Sequence, residues 1–129
     1  MQIAHIGVWT SRLEEMKTFY ATYFNTTSGT KYTNVRTAFE SYVLSFPSGA
    51  RLELMRVPDL EPARETGASH AVGWAHLAIA LGSEEAVDAL TARLRADGYP
   101  VLDGPRRTGD GYYESTIGDP DGNRLELTV

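Results

Sequence analysis

Two stretches carry the fold: Pro47-Ser48-Gly49-Ala50-Arg51-Leu52-Glu53-Leu54 and Pro120-Asp121-Gly122-Asn123-Arg124-Leu125-Glu126-Leu127. Each opens on proline and glycine, which make a tight turn, and runs into an alternating strand. Successive strand side chains point to opposite faces, so the leucines of each stretch share one face and Glu53 or Glu126 takes the other. A single glutamate on a strand is ordinarily a solvated surface group. Here the acid recurs in the same local setting, with Pro47, Gly49 and Glu53 matched by Pro120, Gly122 and Glu126 at one constant offset of 73 residues.

Each stretch closes a similar series of elements. Residues 3–9, Ile-Ala-His-Ile-Gly-Val-Trp, alternate as a strand, with Ile3, His5, Gly7 and Trp9 on one face. A helix should follow, with Ser11 and Glu14 as a capping box and Leu13, Met16, Tyr20, Tyr23 and Phe24 as an apolar stripe packed on a sheet. Asn25 and the polar run to Gly29 end it. Residues 30–37 read as an edge strand and residues 38–46 as a stronger one. Residues 74–81, Trp-Ala-His-Leu-Ala-Ile-Ala-Leu, restart the order, placing His76 opposite Leu77 and Ile79. Ser83 caps a second helix, Glu84 and Glu85 favour its N-terminal dipole, Val87, Leu90 and Leu94 make its stripe, and Gly98 ends it. Two weaker strands, 99–108 and 111–118, flank Gly109-Asp110-Gly111. The chain therefore reads as one 129-residue α+β domain of tandem βαβββ modules: module one 1–57, a linker 58–73 rich in proline and glycine, and module two 74–129.

Composition narrows the function. Seventeen acidic and twelve basic residues give a net charge of −5 and a pI near 5.1, so nucleic acid and anionic membrane surfaces are not expected partners. No segment approaches the length of a bilayer span, and no signal-peptide h-region opens the chain, which makes a cytoplasmic location the expectation. With no cysteine, disulfides, thiolate catalysis and cysteine-based zinc sites are excluded.

The histidines complete the pattern. His5 and His76 both sit on the first strand of a module, in Ala4-His5-Ile6 and Ala75-His76-Leu77. Both point away from the helix-packing face, as Glu53 and Glu126 do. If each module curls into a half-cup, the four side chains converge. Two imidazoles and two carboxylates form a good ligand set for a divalent ion such as Zn²⁺, Ni²⁺, Co²⁺, Mn²⁺ or Fe²⁺. His70 has no counterpart in module one and reads as a loop histidine, with a substrate-facing role as the alternative. Trp9, Phe39, Trp74, Tyr112 and Tyr113 are expected in the core or an interface, with pocket walls as the alternative.

Over essentially its whole length the chain resembles the vicinal-oxygen-chelate superfamily, which includes glyoxalase I, fosfomycin-resistance proteins, methylmalonyl-CoA epimerases, extradiol dioxygenases and bleomycin-binding proteins. His5-Ile6-Gly7-Val8, Phe19-Tyr20, Trp74-Ala75-His76-Leu77 and Asp119-Pro120-Asp121-Gly122-Asn123-Arg124-Leu125-Glu126-Leu127 carry the resemblance. It implies curved sheets enclosing a divalent metal, a small-molecule substrate, and a homodimer whose site draws ligands from one chain or both. The order His5, Glu53, His76, Glu126 is most similar to bacterial glyoxalase I. This implies a metal-dependent lyase or isomerase using enolate chemistry, with Glu126 or Glu53 moving the proton and Glu126 preferred. Trp9 and Val57 occupy positions where glyoxalase I typically has a glutathione-binding arginine and an asparagine, with Arg12 and Arg56 as candidate replacements. The alternatives are another metal enzyme of the same fold (thiol or water addition to an epoxide, an epimerase, an extradiol dioxygenase) or a non-catalytic small-molecule binding or resistance protein.

Overall fold

The computed structural model describes residues 1–61 and 72–129, and the chain divides into two compact units, Met1–Arg64 and Glu65–Val129. His70 and most of the expected linker fall outside the described residues.

The first unit contains β1 (His5–Trp9), α1 (Leu13–Phe24), β2 (Thr27–Ser28), β3 (Tyr32–Asn34), β4 (Phe39–Ser45) and β5 (Arg51–Arg56). Its sheet runs β1-β5-β4-β2, with β1 parallel to β5 and β4 antiparallel to it. β2, in the polar run expected only to end the helix, pairs with Ser45 and Leu44 along one edge of β4, and on the same edge the strand expected over 30–37 is reduced to β3, paired with Ser41 to Phe39. Strand β3 stops at Asn34, whose Oδ1 accepts from the amides of Arg36 at 3.1 Å and Thr37 at 3.3 Å in an Asx-type turn.

Helix α1 lays Leu13, Met16, Phe19, Tyr20 and Phe24 against Tyr42, Leu44, Leu52 and Leu54, all buried. Fully burying one such leucine stabilises by about 1.5–3 kcal/mol. The expected Ser11–Glu14 capping box does not form. Arg12 occupies the N-cap without a side-chain cap bond, and its amide donates to Thr10 Oγ1 at 2.9 Å. The Glu14 carboxylate turns elsewhere, accepting from Lys31 Nζ at 3.0 Å and from the Tyr42 hydroxyl at 3.2 Å. A charge-assisted bond to an ammonium outcompetes a bond to a backbone amide.

The second unit contains β6 (Leu77–Ala80), α2 (Glu84–Ala96), β7 (Val101–Arg107), β8 (Tyr113–Gly118) and β9 (Arg124–Thr128), with strand order β6-β9-β8-β7 and β6 parallel to β9. Here the cap forms as expected, the Ser83 hydroxyl accepting from the Ala86 amide at 3.2 Å. Val87, Leu94, Ile117, Leu125 and Leu127 make the core. Leu90 is only half-buried. Thr91 is the buried residue beside it, its hydroxyl meeting Val87 O and Ser115 Oγ at 2.6 Å each. Strand β7 is irregular around Gly104, where a Cβ would lie 2.7 Å from the carbonyl oxygen of Glu114, so only glycine allows that approach.

The architecture is α+β, two βαβββ modules in tandem. Among the described residues no helix is long and apolar enough to cross a membrane.

Candidate metal centre

In the first unit, His5 stands at the start of β1, two residues before Gly7, which registers against Glu53 on the parallel strand β5. Both side chains project from the face opposite Leu52 and Leu54. His5 Nε2 lies 3.6 Å from Glu53 Oε2. The second unit repeats this relation. His76 precedes β6, two residues before Ala78, which registers against Glu126 on β9, and His76 Nε2 lies 3.3 Å from Glu126 Oε2. In both units the residue facing the glutamate is small, glycine or alanine, and at Gly7 the Met55 methyl lies 2.8 Å from where a Cβ would stand.

These distances bear on whether an ion fits. Both exceed the usual N–H···O span of about 2.7–3.2 Å, so neither pair is built as a tight hydrogen bond. An ion bound at about 2.1 Å with angles of about 90–110° needs neighbouring donors about 3.0–3.4 Å apart, close to what each pair presents. The pairs are accessible: the side chains are 49% and 24% exposed for His5 and Glu53, and 42% and 18% for His76 and Glu126. Imidazole nitrogen and carboxylate oxygen suit a divalent ion, so the donor set fits. Each pair supplies two donors, and among the described residues no group of three histidine, aspartate or glutamate side chains gathers on its own.

The second unit holds a further acid with no counterpart in the first. Glu114 on β8 lies on the same face as Glu126, since Glu114 registers with Thr128 and Thr116 with Glu126. Burial pushes its carboxyl above the ordinary glutamate value, and the Glu126 charge adds to that, while Arg106, 3.7 Å away, pulls it down. The offset of 73 residues aligns Glu114 with Ser41, so comparing the modules position by position would have flagged it. Arg106 is itself held by Asp103 at 2.7 Å, which draws the Asp103 carboxyl below its usual range.

The two arginines considered as substrate-binding replacements lie elsewhere. Arg56 shares the helix-facing parity of Leu52 and Leu54, pairs with Glu40 at 3.1 Å, and lines a cavity of about 250 Å³ with Arg12, Glu14 and Lys31. Glu53 is on the other face of that strand. None of the five singled-out aromatic residues is fully buried: Trp9, Trp74 and Tyr112 are exposed, and Phe39 and Tyr113 are half-buried. Trp9 and Phe39 stand on the sheet face turned away from α1, while Tyr113 reaches the flank of α2, its hydroxyl donating to Asp88 Oδ1 at 2.7 Å.

The fold has solved relatives. A trypanothione-dependent glyoxalase I from Leishmania major is 20% identical over 99% of this chain and 86% of that one, with a TM-score of 0.78. A lactoylglutathione lyase from Agrobacterium tumefaciens is 22% identical over 98% and 91%, with a TM-score of 0.69. A glyoxylase/bleomycin resistance protein/dioxygenase domain from Frankia sp. EAN1pec is 16% identical over 100% and 97%, with a TM-score of 0.82. Comparison of the sequence with curated proteins found no match. Likenesses at such identity establish the fold. The family rests on the sequence model, which matches residues 2–127, and this chain belongs to the Glyoxalase/Bleomycin resistance protein/Dioxygenase superfamily.

Proposed function

We propose that this chain is a divalent-metal-dependent lyase or isomerase of the glyoxalase I kind. Its ligands are His5, Glu53, His76 and Glu126, and its substrate is a small molecule with adjacent oxygens. The observation that carries the reading is the duplicated His–Glu pair, alike in register and with donor atoms 3.6 and 3.3 Å apart. Zn²⁺, Ni²⁺, Co²⁺, Mn²⁺ and Fe²⁺ all accept such donors. A bound ion would supply Lewis-acid polarisation of a substrate carbonyl oxygen.

The chain's own groups do the remaining work. His5 and His76 bind as neutral imidazoles, and the two glutamates contribute the compensating negative charge. Glu126, the more enclosed of the two at 18% exposed, is the proton carrier. It takes a proton from the carbon bearing the substrate hydroxyl and returns it to the neighbouring carbonyl carbon, while the hydroxyl proton passes to the neighbouring oxygen, an isomerisation with no net oxidation. Its choice over Glu53 also follows the family resemblance.

Metal analysis of purified protein tests the ligand set. Wild type should hold stoichiometric metal, and His5→Ala and Glu53→Ala should each lose it. An absence of metal in wild type would sink the reading in favour of a small-molecule binder, whose binding chelators leave untouched. The Glu53 pair is the longer and more exposed, which supports one second reading: a three-ligand site of His5, His76 and Glu126. In that case Glu53→Ala keeps its metal. Turnover of methylglyoxal with thiol cofactors tests the reaction, and oxygen consumption by iron-loaded protein would replace it with ring cleavage. We also propose a homodimer, which sedimentation at micromolar concentration checks.

A further inference from the structure

The open face of the first sheet differs in kind from that of the second. Beyond Gly7 on the same face of β1 stands Trp9, 49% exposed. Its ring meets Phe39 edge-on at 6.2 Å and 89°, and Phe39 meets Tyr32, 56% exposed, at 6.1 Å. Met55 registers with Trp9 and lies over Gly7, where a Cβ would come within 2.8 Å of its methyl. Val43, 37% exposed, registers with Glu53. These five side chains carry no charge and continue without a break from the His5–Glu53 pair. Lys31 and Arg56 are engaged by Glu14 and Glu40 on the helix side of the sheet, and Arg51 registers with His5 at the opposite end from Trp9. The corresponding face of the second unit carries the ions Glu126, Glu114 and Arg106 instead.

We propose that the Trp9–Phe39–Tyr32 ledge is a specificity surface that takes a flat apolar group, an aryl ring above all, on a substrate whose adjacent oxygens reach the His5–Glu53 pair. This rests on the metal-site reading above. The rings are half-exposed where solvent would otherwise cover them, and ring-on-ring contact favours an aryl guest over a methyl one. A charged or peptide-like tail finds no partner among these side chains.

The test uses the Trp74→Phe protein, in which Trp9 is the remaining indole and the exchanged residue is 92% exposed. Benzohydroxamate and acetohydroxamate share the same chelating oxygens and differ in the ring. Followed by Trp9 emission on metal-loaded protein, the aryl probe should bind about tenfold more tightly. Phe39→Ala and Tyr32→Ala should bring that ratio toward one and leave acetohydroxamate unchanged. A ratio near one from the outset, or one that both variants leave intact, overturns the proposal. So does a dimer that Trp9→Asp dissociates while the ratio, read for that variant by titration calorimetry, stays unchanged, because a second copy then covers the ledge. Benzamide, which lacks the adjacent oxygens, separates this proposal from the metal reading. Quenching of Trp9 by benzamide in chelator-treated protein upholds the ledge whatever becomes of the metal. Metal-dependent acetohydroxamate binding with no benzamide effect upholds the metal and removes the ledge.

Discussion

Asp119 is 3% exposed, and its carboxylate holds the turn that leads into β9. Oδ1 accepts from the amides of Asp121 at 3.0 Å and Asn123 at 2.8 Å, and Oδ2 from the Asn123 side-chain amide at 2.9 Å. The acid that opens the closing motif is thus architectural, while Glu126 faces the open side of the sheet. Asp119→Ala removes the charged acceptor of three part-buried hydrogen bonds and should cost about 1–3 kcal/mol, read as a lower urea midpoint. Glu14 supplies a pH test. The Lys31 hydrogen bond holds its carboxyl below the ordinary value of 4.5, and the same bond raises Lys31 above 10.5. A lowered acid adds stability that is complete above its unfolded value and lost as pH falls through the folded one. A raised base adds stability that is complete below its unfolded value and lost as pH rises through the folded one. Lys31→Met should therefore lower the neutral urea midpoint and flatten the decline below pH 4.5. Parallel acid limbs in the two proteins would show that this bond contributes nothing.

The two helices begin differently, although both looked capped. Helix α2 uses Ser83, so Ser83→Ala should cost about 1 kcal/mol in urea denaturation. The expected cap of α1 at Ser11 is not made, so Ser11→Ala should fall within about 0.5 kcal/mol of wild type. Equal losses would contradict the assignment. The strands were more legible than the caps. In both β5 and β9 the leucines are buried and the glutamates half-buried, as alternation required. The edge beside β4 was harder to read, because β2 spans two residues and β3 is ended by the Asn34 turn, and neither shows an apolar period.

For the whole molecule, the decisive quantity under the proposed metal reading is the number of ions bound per chain. A ligand that binds only the folded chain at 100 times its Kd stabilises it by about 2.7 kcal/mol, so metal should raise the melting temperature of wild type and chelation reverse it. One ion shared by all four residues predicts that His5→Ala and His76→Ala each abolish that rise. A separate ion on each pair predicts that each variant keeps half of the metal content, and differential scanning calorimetry with metal analysis separates the two.

Much of this was present in the residues themselves. The duplication, the parity of leucines against glutamates and the matching histidines are local properties, set by side-chain alternation and by an offset that arithmetic exposes. Tertiary pairing decided what those properties become. Register put Gly7 against Glu53 and Ala78 against Glu126, and so brought each histidine within reach of an acid about fifty residues away. It also set Glu114 beside Glu126, sent Arg56 to the far side of the sheet, and drew Glu14 from its expected cap to Lys31. Alternation tells which face a side chain takes, but which neighbour it meets there depends on strands that only burial and hydrogen bonding align.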